Sequence, residues 1–137
     1  MKWPVGIGAK GNSGVAAQIK NTPGAIGYVN YGYVKQGLQQ VSIQNKAGNY
    51  VKASAETASA GLGEIVLDSQ LRGADANPAG ENAYPIVSLT WILAYPEYEK
   101  NDNVKTMLRY MLTPTQQQKA DALGYVPPSD RDWETIG

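Results

Sequence analysis

Two groups of side chains in this chain have the types and spacing to hold an anion. Lys10, Asn12, Ser13 and Gly14 stand at the head of a stretch with helical apolar spacing. A helix start offers free backbone N–H groups and the positive end of the helix dipole, and Lys10 would add charge. Ser88 and Thr90 are the second group, two hydroxyls on one face of an extended apolar run. The plainer alternatives are an ordinary capped helix, with Asn12 or Ser13 as the cap, and hydroxyls bonding within a sheet. No catalytic or metal-binding residue is expected. The chain has no histidine and no cysteine, which removes the commonest general base, the commonest metal ligand and all thiolate or disulfide chemistry. Catalysis would need carboxylates, lysine or tyrosine, and Glu97 and Glu99 sit in what reads as a polar turn.

Other patterns have simpler explanations. Gly6, Gly8 and Gly11 spell G-x-G-x-x-G. No full strand precedes them and no acid follows near Asn30, so neither a dinucleotide site nor a P-loop is expected. Tyr28, Tyr31 and Tyr33 could stack a ligand, but Tyr28 reads as core and the other two as cover for a sheet edge. Val104, Met107, Leu108, Met111 and Leu112 form a wide apolar stripe, which is more often core than groove.

The elements that would position these residues follow in order. Gly11 to Tyr31, GNSGVAAQIKNTPGAIGYVNY, reads as a helix with Val15, Ala16 and Ile19 on one face. It stops at Pro23-Gly24 and passes into a buried strand over 25–29. A helical turn ends at Gly37, a half-exposed strand covers 39–44, and Asn45 to Asn49 is a turn. A helix over 50–61 is entered at Ser54. Residues 61–80 read as a surface excursion. Tyr84 to Tyr95, YPIVSLTWILAY, reads as a second buried strand with Pro85 at its start. Two helices close the chain, the first capped by Asn103, the second opened by the capping box Thr113-Pro114-Thr115-Gln116 and ended at Gly124. A loose tail follows from Asp130. The alternation of helices and strands predicts an α/β fold.

At 137 residues and 42% hydrophobic the chain can bury the core of one domain. Its 12 basic and 12 acidic residues balance, so nothing favours nucleic acid or an anionic membrane. Neutrality still allows a phosphate ligand, because backbone N–H groups and hydroxyls can bind anions. No apolar run approaches the ~20 residues of a membrane span. The start, MKWPVGIGAKG, does not read as a secretory signal.

The stretch GAKGNSGVAAQIKNTPGAIGYVNYGYVKQ, with ENAYPIVSLTWIL after it, resembles the second half of the periplasmic phosphate-binding proteins of ABC-type phosphate importers. The resemblance runs from about Trp3 to Pro127. It implies part of a type II periplasmic-binding-protein-like fold. Residues 1–82 would be the latter part of the second lobe, 83–128 the return crossing and last helices of the first lobe, and 129–137 a tail. It also implies a non-catalytic receptor for inorganic phosphate, exported to the periplasm or cell exterior, that delivers to an ABC permease and needs no cofactor. In such a receptor an acid accepts the proton of hydrogenphosphate and so rejects sulfate. The family's Arg-x-x-x-Ser-Gly-Thr loop precedes the tryptophan matched by Trp3. Arg72, Arg109 and Arg131 lack that context, so no family ligand transfers to a position here. Two outcomes are then expected. Either the chain is phosphate-binding only when a cleft is completed, or it is a self-associating remnant whose apolar faces at Ile86 to Leu93 and along the Met107 stripe lie open.

Overall fold

The computed structural model describes residues 4–34, 37–70, 72–95, 97 and 101–127. The chain forms two compact units, Met1–Gln40 and Val41–Gly137. Trp3, Tyr98-Glu99, Arg131 and the tail with Trp133 and Ile136 lie outside the described residues.

In the first unit, α1 (Gly11–Asn21) begins earlier than expected. Its N-cap is Lys10, and no side chain caps it. Asn12 and Ser13 are inside the helix, so neither is the cap; the Asn12 Oδ1 instead accepts from the Asn30 backbone amide at 3.0 Å. Ala16 is buried and Val15 and Ile19 half-buried, which gives the expected apolar face. That face meets Gly27, where a methyl group would fall 2.8 Å from Ile19 Cδ1 and 3.2 Å from Val15 Cγ1. The helix ends at Asn21, and Gly24 turns the chain with φ +80°. Residues 25–29 then run without a ladder partner. Their expected burial fails: Ile26 and Tyr28 are each 88% exposed, so Tyr28 is not core. A central strand is buried by neighbouring strands and layers, and among the described residues none is paired with this segment. The short α2 (Tyr31–Val34) follows. Asn30 starts it, its Oδ1 accepting from Gly32 N at 3.1 Å. Gly37 closes this region with φ +89°.

The second unit opens with a two-residue hairpin, β1 (Ile43–Gln44) paired antiparallel with β2 (Tyr50–Val51). This is shorter than the strand expected over 39–44, and Val41 is exposed. The expected turn at Asn45 to Asn49 joins the two strands. Tyr50 and Val51 are strand rather than helix; α3 (Ala55–Leu62) starts at the expected Ser54, whose side chain accepts from Thr57 N in a complete capping box. The core gathers Val51, Leu62, Ile65, Pro78 and Ala83. The excursion expected over 61–80 is therefore not wholly a surface feature, since Ile65 and Pro78 anchor it inside.

Within it, Asp68 closes a tight turn. Its Oδ1 accepts from the Gln70 and Arg72 amides at 2.8 and 2.9 Å, and its Oδ2 pairs with the Arg72 guanidinium. These bonds hold its carboxyl below the ordinary value of 3.8. Because the folded value is depressed, the turn's stabilisation is complete above the ordinary value and is lost as pH falls through the folded one. An NMR titration should find Asp68 more than half ionised at pH 3.8, with the midpoint of the Gln70 and Arg72 amide shifts below that pH.

The expected buried strand over 84–95 does not form either. Burial alternates up to Thr90, with Ala83 and Pro85 inside and Ile86, Ser88 and Thr90 exposed. Beyond Thr90 every residue to Tyr95 is exposed. Again no partner strand flanks this segment among the described residues. Helix α4 (Asn101–Met111) starts before Asn103, which is inside it and does not cap it. Its apolar stripe is open at Met107 and Met111 and half-buried at Val104 and Leu108, so it is not core. Next, α5 (Pro114–Gln117) has the expected Thr113 N-cap and Pro114 at its first position. The capping box is not made: the Thr113 hydroxyl donates to Tyr110 O at 2.8 Å, and Gln116 Nε2 to Tyr110 Oη at 2.8 Å. The helix stops at Gln117, short of the expected end at Gly124; a separate 3-10 turn (Asp121–Leu123) follows, and Gly124 closes it in the left-handed conformation.

Candidate functional site

The Lys10 group is built by the start of α1. Lys10 is extended, with φ −83° and ψ 110°, and its carbonyl accepts from Gly14 N at 3.2 Å. Lys10, Asn12 and Ser13 are exposed. No acid lies in the first turn and no side chain caps it, so the field there favours an anion. Asn12, however, has its side-chain oxygen committed to Asn30. The group thus has an internal structural task that its composition alone does not reveal.

The Ser88 and Thr90 hydroxyls lie on one exposed side of the run that leaves Pro85. Ser88 Oγ donates to the neighbouring Leu89 carbonyl at 3.3 Å. These two residues are in the second unit and the Lys10 group is in the first. Arg72 is paired with Asp68 in its own turn, and Arg109 lies in the last turn of α4. Among the described residues no three acids gather as they would around a metal ion. Partial burial pushes the Tyr84 phenol above its ordinary value.

Sequence reasoning missed Asn45. It is 5% exposed, and its Nδ2 donates to three carbonyls, Gly80, Glu81 and Ala83, at 3.3, 2.8 and 3.2 Å. Its Oδ1 accepts from Asn49 N at 2.9 Å. Asn49 Nδ2 adds a bond to Glu81 O at 3.0 Å. The hairpin turn thereby sets the backbone over 80–83, from which Pro85 and the Ser88–Thr90 run depart. An asparagine in a turn was legible, but its reach to residues so far along the chain was not.

A family model described as a PBP superfamily domain matches residues 2–115. The chain belongs to the PBP superfamily. Its fold is accordingly periplasmic-binding-protein-like and α/β in class. Three similar proteins all carry the name phosphate-binding protein PstS. The one from Pasteurella multocida is 36% identical over 132 residues, covering 93% of this chain and 38% of its own. The Haemophilus influenzae protein is 33% identical, over 95% of this chain and 41% of its own. The Methanocaldococcus jannaschii protein is 31% identical, over 92% and 38%. The PBP chain spans about two fifths of the length of these relatives. Among the described residues no helix is long and apolar enough to cross a membrane.

Proposed function

We propose that this chain forms part of a phosphate receptor for an ABC-type uptake system. It binds inorganic phosphate within a completed cleft, works outside the cytoplasmic membrane and hands its ligand to a permease without chemical change. One observation supports this reading most: 31–36% identity, over more than nine tenths of the chain, to proteins named for phosphate binding. Residues 1–82 then correspond to the latter part of one lobe and 83–128 to the return crossing and closing helices of the other. Lys10, Asn12, Ser13, Gly14, Ser88 and Thr90 are the candidate anion contacts. A catalytic role has little support, given the absence of histidine and cysteine.

The test is replacement in a cell. In Pasteurella multocida, the matched stretch of the relative is exchanged for this chain, and growth is followed on limiting phosphate. Growth close to that of the parent is expected. Growth no better than that of cells lacking the relative, with the chimera present and folded, overturns the reading. The exposed Ile86, Trp91, Ile92, Leu93 and Met107 favour a second reading, a remnant that binds no phosphate and covers these faces by self-association. Mass measured in solution over a range of concentrations separates the two.

A further inference from the structure

Two methionines stand open on α4, and the phosphate reading makes no use of them. Met107 is 54% and Met111 42% exposed. Residues four apart on a helix share a face, with Cβ atoms ~5–6 Å apart, so the two thioethers are neighbours. The chain has three methionines and no cysteine. With no thiol to react first, thioether sulfur is the group that a peroxide oxidises most readily. The remaining methionine, Met1, lies outside the described residues. A methionine packed in a core is shielded from such an oxidant, whereas Met107 and Met111 both meet solvent.

The helix does not hang on either sulfur. Val104 and Leu108 are the half-buried members of its stripe. Its C-terminal end is tied by polar bonds: the Thr113 hydroxyl donates to Tyr110 O and Gln117 Nε2 to Met111 O, both at 2.8 Å. A change confined to the two thioethers leaves these attachments in place. It does alter the surface, because a sulfoxide carries a strongly polar S–O bond where the thioether was apolar.

We propose that Met107 and Met111 form an oxidation site that switches the exposed face of α4 from apolar to polar while the fold stays intact. The oxidant is a small peroxide, hydrogen peroxide being the simplest. One peroxide oxygen passes to each sulfur. The S–O bond forms as the O–O bond breaks, the sulfur gives up two electrons, and the other oxygen leaves with both hydrogens as water. Enzymic reduction of the sulfoxide restores the thioether, so the two states interconvert. The site needs neither phosphate nor a completed cleft, and it stands or falls separately from the phosphate reading.

The test treats the purified 137-residue chain with hydrogen peroxide at neutral pH, with N-acetylmethionine amide in the same tube, and follows each methionine by peptide mass spectrometry. Met107 and Met111 should each gain one oxygen at a rate within about threefold of the free reference. Thermal melting followed by circular dichroism should be the same before and after. Fluorescence of bound anilinonaphthalene sulfonate, which reports open apolar surface, should fall on oxidation and return after treatment with methionine sulfoxide reductases. The double variant Met107→Leu, Met111→Leu keeps the stripe apolar and close in volume, and peroxide should leave its dye fluorescence unchanged. Oxidation of both residues about tenfold or more slower than the reference overturns the proposal, since it means that the sulfurs are covered. An oxidised chain that melts lower, or an equal loss of dye fluorescence in the leucine variant, overturns it as well.

Discussion

Replacing Asn45 by alanine should destabilise the second unit by about 2–3 kcal/mol, measured by urea unfolding followed by circular dichroism. The side chain shares its two Nδ2 hydrogens among three carbonyls and accepts one amide at Oδ1, while 5% exposed. A typical hydrogen bond contributes about 1 kcal/mol net, and stranding a buried partner costs about 1–3 kcal/mol. The bonds here are not independent, since the carbonyls of Gly80 and Glu81 can regain water, so the total falls short of a simple sum. Asn45→Asp should be worse than alanine. It keeps the acceptor for Asn49 N but turns an oxygen toward three carbonyl oxygens. Asn49→Ala is the internal comparison, because it removes one exposed bond to Glu81 O, and should cost less than about 1 kcal/mol. Equal effects at the two positions would mean that the Asn45 network is not what sets the 80–83 backbone.

Gly73→Ala should cost a similar amount through crowding. An added methyl would run into the Val66 carbonyl oxygen and would stand 2.9 Å from Ile65 Cγ2 and 3.1 Å from Leu67 Cδ2. The first of these atoms is backbone and cannot rotate away. The two arms, held together by Asp68 N to Arg72 O at 2.8 Å, would have to part, and Ile65 would be drawn out of the core. Overpacking of this kind costs about 1–3 kcal/mol. The same unfolding experiment reads it, and the Asp68 and Ile65 amides should lose exchange protection first. A variant as stable as the parent would show that the arms are not so close.

These two positions mark the limit of what the sequence reveals. Signals confined to a few neighbouring residues were legible: Ser54 as a cap, Pro114 at the first position of a helix, and Gly24, Gly37 and Gly124 where φ is positive. The apolar face of α1 was legible too, because helical spacing is local. The strands were not. YPIVSLTWILAY has the composition of a buried strand, but a ladder depends on a neighbour that no local pattern supplies. The same holds for Tyr28, whose apolar setting suggested core and whose side chain is exposed. Asn12 illustrates the difficulty at the candidate site. Its type and position fit a cap or an anion contact, yet its oxygen serves Asn30, 18 residues away. The family was legible because it is carried by residue identities, which survive where a contact is not formed.

The most direct test of the phosphate reading is a calorimetric titration of the purified chimera, in which this chain replaces the matched stretch of the Pasteurella multocida relative. The account predicts saturable heat at one phosphate per molecule and none with sulfate under the same conditions. A folded chimera that gives no heat with phosphate, or equal heat with both anions, would contradict it.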